Sequence, residues 1–218
     1  MSSSISKAQV AQIEQDFLLR FPGGLQDPAW LALGKKHRST LQAMALFDTA
    51  LSLPTLAAAI AQQRYGEVIE ACRQFVGRCT TISTFEKIAF RNYLAFGDVH
   101  EPFIRCLHAL LARCDAASFD DFVDVLLLCR YDKNANAAKW PLVTAFLAYS
   151  NPQQHVCVKP TTIKKLAARL GVDIAYQAQP AYQTYQRVQA MVAQFRQHST
   201  QLVVDNNITA QAVMYCTV

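Results

Sequence analysis

His155 and Cys157 stand two residues apart in the segment 151–159. In extended backbone, positions i and i+2 share a face, so an imidazole and a thiol there would lie side by side, as a Cys–His nucleophile requires. The sequence offers no third group to orient the imidazole. Lys159 and Thr161 follow closely. Together, His155, Cys157, Lys159 and Thr161 are the expected lining of a pocket in an enzyme or small-ligand-binding protein.

Other chemistry-bearing clusters have plainer readings. Asp98, His100, Glu101 and His108 gather acid and imidazole. The histidines are eight residues apart and Glu101 lies off their line, so one helix face cannot present them to a metal at i, i+4 spacing. Asp98 and Glu101 fit N-terminal capping and dipole charge for the following helix. Asp120, Asp121 and Asp124 crowd the start of the next predicted helix, where carboxylates stabilise the first turn without acid–base work. Neither a metal nor a cofactor is expected. Phosphate-loop, dinucleotide, nucleophile-elbow and zinc-protease motifs do not occur.

The basic residues point toward a polyanion. The run at 34–38, GKKHR, reads as a solvated helix face. After Pro160, the apolar positions Ile163, Leu166, Ala167 and Leu170 turn Lys164, Lys165, Ala168 and Arg169 away from the core. Thr161 or Thr162 is placed to cap that helix, whose free N–H groups and dipole would face a phosphate. A capped amphipathic surface helix has the same features.

The elements that must position these groups are helical. Apolar residues recur at helical spacing almost throughout, giving an all-α chain of about ten helices joined by short loops. Expected stretches are 7–20, 28–52, one beginning at Pro54, 65–78, 84–96, 101–114, 118–130, 139–149, 161–170, 181–197 and 206–217. Asp27-Pro28 is an N-cap followed by proline at the first helical position. Two short segments, 156–158 and 201–204, alternate like strands. One compact domain is expected, with a possible division into lobes 1–130 and 131–218 at the irregular segment 131–138.

The chain has 218 residues, 52% hydrophobic and 17% charged, enough for a sizeable core, and a formal net charge of +5. That mild basicity permits phosphate-rich partners without requiring them. Seven cysteines, an odd number with no C-x-x-C pair, read as buried thiols of a reducing compartment. No signal-type apolar segment opens the sequence, and no uncharged apolar run approaches the roughly 20 residues of a membrane span. A cytoplasmic location is expected.

Two resemblances follow. The stretch 119–171, FVDVLLLCRYDKNANAAKWPLVTAFL followed by HVCVKPTTIKKLAARLG, resembles the helix-hairpin-helix superfamily of DNA glycosylases. The family's catalytic aspartate would fall at Lys159 or Pro160. Its hairpin glycines are replaced by the residues at 132–137, where Asn136 is the candidate for a left-handed turn, and its four-cysteine cluster pattern is absent. The resemblance therefore implies holding of DNA without base excision. More broadly, RFPGGLQDP, KWPLVT and VKPTTIKKLAARLG look like landmarks of a family of uncharacterised bacterial proteins. The expected function is non-catalytic binding of DNA or RNA phosphates through Lys139, Lys159, Thr161, Thr162, Lys164, Lys165 and Arg169, with Tyr182 and Tyr185 as candidate stacking rings. A ligand pocket near His155 and Lys159, or a homodimeric interaction protein, are the alternatives.

Overall fold

A computed structural model describes residues 4–33, 37–132 and 134–218. Of the basic run at 34–38, the first three residues lie outside that set. Among the described residues the fold is all-α. Its helices are α1 (Lys7–Arg20), α2 (Pro28–Leu33), α3 (His37–Ala50), α4 (Leu53–Ala61), α5 (Tyr65–Arg78) and α6 (Thr84–Tyr93). They continue with α7 (His100–Arg113), α8 (Ala116–Leu126), α9 (Trp140–Ser150), α10 (Pro160–Leu170), α11 (Tyr182–His198) and α12 (Asn207–Tyr215).

The centre is α9. Its sequence WPLVTAFLAY carries no charge, and a helix apolar on all sides must be buried on all sides. Every residue from Trp140 to Tyr149 is buried. Phe146 shows what surrounds it: its ring lies 5.0 Å from Phe75 of α5, 6.3 Å from Phe90 of α6, 6.2 Å from Phe103 of α7 and 5.9 Å from Phe122 of α8. Four helices thus converge on one side chain. Buried residues on both sides of position 130 belong to a single hydrophobic cluster, and α1 packs on α11 and α12. Among the described residues no single helix is long and apolar enough to cross a membrane. Leu41–Ala50 with Leu53–Ala61 passes that test only as a pair bent by 43°.

Caps explain most boundaries. Ser6 with Gln9, Ser83 with Glu86 and Asp115 with Ser118 form reciprocal capping boxes at the starts of α1, α6 and α8. Asp27 accepts from the amides of Ala29 (2.8 Å) and Gly23 (2.9 Å), joining the Pro-Gly-Gly turn to α2. Gly24 in that turn has φ +62°, a conformation open to glycine at little cost. Gly171 ends α10 the same way, with the Val172 amide reaching back to the Ala167 carbonyl.

Several expectations need correction. The stretch predicted as helix over 28–52 is helical at Pro28–Leu33 and His37–Ala50, with 34–36 outside the described residues, and the second segment ends two residues early. Because Asp115 caps α8, that helix starts earlier than expected and Asp120, Asp121 and Asp124 fall beyond its first turn. Asp98 does not cap α7, where Val99 occupies the cap position without a side-chain bond; Glu101 does place its charge in the first turn of α7, where it also pairs with Arg105 at 2.8 Å. Lys159 is the cap residue of α10, so neither Thr161 nor Thr162 caps it. In the 132–137 segment, of which residue 133 lies outside the described set, Asn136 is not left-handed, and Asp132 accepts from the Asn134 amide at 2.9 Å. Neither strand candidate pairs with another strand. The cysteines are all free, but Cys106, Cys114 and Cys216 are only half-buried.

Candidate functional site

His155 closes the turn after α9, where its amide and that of Gln154 both bond the Asn151 carbonyl. The next residues are extended and held by side chains instead of by a sheet. Gln211 of α12 accepts from the Cys157 amide (2.9 Å) and donates to its carbonyl (2.7 Å). Thr144 of α9 accepts from the Val158 amide at 2.8 Å. Asn207 donates to the His155 carbonyl at 3.1 Å. Side chains of α9 and α12 thus take the place of a neighbouring strand for much of this extended backbone, which a helical core must satisfy by other means.

This frame separates the expected Cys–His pair. The Cys157 thiol is buried 3.9 Å from the Thr144 hydroxyl, with its pKa pushed up by burial. It lines a small, mostly apolar cavity of about 140 Å³ with Tyr149, Gln211 and Tyr215. The His155 ring points elsewhere: its Nδ1 lies 2.9 Å from the Tyr185 hydroxyl of α11 and 3.9 Å from Cys114 Sγ. Burial pushes Cys114 up to about 11, with Asp115 adding to the effect, so it is a thiol and not an activated nucleophile. Cys114 itself is left-handed, φ 48°, at the corner between α7 and α8, and its carbonyl is held by the Tyr182 hydroxyl at 2.8 Å.

The hydrogen bond to Tyr185 fixes how His155 is used. Burial raises the phenol's pKa and lowers that of the imidazole, so both are neutral near pH 7. A buried hydroxyl must donate somewhere, and Nδ1 is the acceptor that the structure offers Tyr185. The imidazole proton is then on Nε2. His155 lines a cleft of about 370 Å³ whose other walls include Phe47 and Asp48 of α3, Ser52, Leu111 of α7 and Asn151. Asp48 is exposed and has no hydrogen-bond or ion-pair partner among the described residues. The cleft therefore offers an N–H donor, a carboxylate with no partner among the described residues, and a lining of mixed polar and apolar side chains.

The residues expected to meet nucleic acid are scattered by comparison. Lys139, Thr161, Lys164 and Lys165 are exposed; Lys159 and Thr162 are half-buried. The Lys164 ammonium sits 4.9 Å over the ring of Tyr176, which packs 6.4 Å from Trp140. Arg169 is engaged inside the fold. It pairs with Asp16 of α1 and donates to the Thr217 carbonyl at 2.8 Å, so it ties α10 to both chain ends. Tyr185 is fully buried against Phe119 and cannot stack on a base; Tyr182 is half-buried beside it. Lys159 and Thr161 line neither the His155 cleft nor the Cys157 cavity.

Asp48, Ser52, Asn151 and the orienting role of Tyr185 were not anticipated. No local pattern marks them, since the cleft exists only once α3, α7 and the turn after α9 are packed. Among the described residues no three His, Cys, Asp or Glu side chains converge as metal ligands would. No family model, curated protein or solved structure matches the chain.

Proposed function

We propose that this protein binds a small polar molecule in the His155 cleft and performs no covalent chemistry there. One observation carries the reading: His155, bonded to Tyr185 through Nδ1, shares the lining of a cleft of about 370 Å³ with Asp48, a carboxylate that has no partner among the described residues. A concave site that combines apolar walls with a few polar groups is the usual form of a ligand pocket, and the mixed lining here suits a polar ligand. The ligand it suits carries a hydrogen-bond acceptor for His155 and an amine for Asp48. Thermal-shift and titration measurements with amino-acid amides, amino alcohols and their neutral N-acetyl counterparts test this. Binding is expected, with affinity falling about tenfold in His155→Phe, the scale of one lost hydrogen bond to a buried donor. Asp48→Asn weakens only the cationic members. No binding across the panel, or binding unchanged by His155→Phe, overturns the proposal.

A second reading is favoured by a different feature. Lys139 and Lys159 occupy the cap positions of α9 and α10, whose first-turn amides have no side-chain cap. With Lys164 and Lys165 they offer cations, and the uncapped start of α10 offers N–H groups, to nucleic-acid phosphates, in keeping with the helix-hairpin-helix resemblance. Such binding weakens steeply with salt and shows little sequence preference. It is abolished in Lys164→Glu with Lys165→Glu, by electrophoretic mobility of short duplexes at two salt concentrations. Retention of duplex affinity in that double variant rejects this reading while leaving the cleft untouched.

A further inference from the structure

We propose a second ligand site, between α5 and α6, that takes a short-chain amphiphilic anion: an alkyl carboxylate or alkyl phosphate. The groove has a volume of about 290 Å³ and shares no lining residue with the His155 cleft. Val76, Ile88 and Phe90 make it chiefly apolar, and Arg73, Lys87 and Arg91 stand around it. No carboxylate lines it.

The cations are positioned for this. Arg73 donates to the Leu94 carbonyl at 3.1 Å, and Lys87 donates across the groove to the Gly77 carbonyl at 2.8 Å. Each bond uses only part of its donor set, since a guanidinium has five N–H groups and an ammonium three. Glu70 approaches Arg73 at 3.8 Å along the exposed side of α5. Arg91 has no hydrogen-bond or ion-pair partner among the described residues. Three cations thus surround an apolar groove with one peripheral carboxylate among them. A purely polar anion would leave the floor unused, and a neutral hydrocarbon would leave the charges unused.

Gly77 keeps the groove open. A Cβ built there meets nothing within 4 Å. A larger residue would therefore occupy the groove without displacing the core, and glycine is a poor choice for helix stability alone.

Calorimetric titration of the whole chain with octanoate, octyl phosphate, octanol and octyltrimethylammonium tests the proposal. At least one of the two anions is expected to bind, and which one does so distinguishes a carboxylate from a phosphate headgroup. Affinity rises roughly fourfold per methylene from hexanoate to octanoate. Octanol binds about tenfold more weakly, lacking the charge-assisted bonds. Arg91→Gln weakens the anion about fivefold, the upper end for one screened ion pair. Gly77→Leu abolishes binding, while Gly77→Ala folds and binds. Failure of both anions, equal binding of the ammonium, full binding by Gly77→Leu, or capture only by anionic vesicles would each overturn it.

Discussion

Truncating Glu14 to alanine lowers the folding stability by about 3–5 kcal/mol, the scale for removing one partner of a buried charged network. Glu14 lies in the middle of α1 and is completely buried. Its Oε1 accepts from the amides of Thr200 (3.1 Å), Gln201 (3.0 Å) and Leu202 (2.9 Å), and from the Ser199 hydroxyl (2.6 Å). The chain leaving α11 is thus wrapped around one carboxylate. Burying that charge is costly, yet alanine does not refund the cost: it leaves three consecutive N–H donors without an acceptor and a void beside Phe17. Glu14→Gln separates the two effects. It keeps an acceptor oxygen and the volume but loses the charge, and should cost about 1–2 kcal/mol. Urea denaturation measures both, with the midpoint moving and the slope unchanged if the unfolded state is unaffected. A loss below about 1 kcal/mol in the alanine variant would show that the 199–202 turn holds its shape without Glu14.

Glu14 also shows what a sequence can and cannot disclose. It stands four residues after Val10 and three before Phe17, on the apolar stripe of α1. A carboxylate at a core position announces a partner, but the partner lies more than 180 residues away and nothing local names it. The same holds elsewhere. The bounds of α1 and α5 were readable to the residue because periodicity, a Ser–Gln capping box and a break after Arg78 are local features. The start of α8 lies earlier than the three aspartates at 120, 121 and 124 suggest, because Asp115 is the one that caps. Arg169 was correctly turned away from the core, but its partner Asp16 comes from α1, so an apparent free cation is a strut. The spacing of His155 and Cys157 predicts the wrong pairing: the His155 ring meets Tyr185 in place of Cys157, and it shares its cleft with Asp48. Periodicity reports which side of a helix faces inward. It does not report which inward groups meet.

Replacing Gln211 with leucine costs about 2–3 kcal/mol and loosens the segment that carries His155, because a buried N–H left without its acceptor retains the full desolvation penalty. Leucine matches glutamine closely in volume, so packing is nearly preserved and the loss isolates the hydrogen bonds. Gln211 occupies both the donor and acceptor of Cys157, as a neighbouring strand would, and its amide also lies 2.9 Å from the Tyr215 hydroxyl. The Cys157 carbonyl has a second donor in that hydroxyl at 2.9 Å; the Cys157 amide has no second acceptor. The unpaired amide therefore dominates the loss. Tyr215→Phe should cost only about 1 kcal/mol, since Gln211 still serves the carbonyl. The double variant should lose more than the sum of the two, because it strips the carbonyl of both donors. Hydrogen exchange at the Cys157 amide supplies the local readout: protection there falls further in Gln211→Leu than at the α9 amides. His155 sits two residues up this extended segment, so under the proposed function ligand affinity at the cleft falls in the same variant although Gln211 does not line it. Unaltered Cys157 protection in a folded Gln211→Leu protein would mean that Thr144 and the packing of Val156 and Val158 hold the segment by themselves.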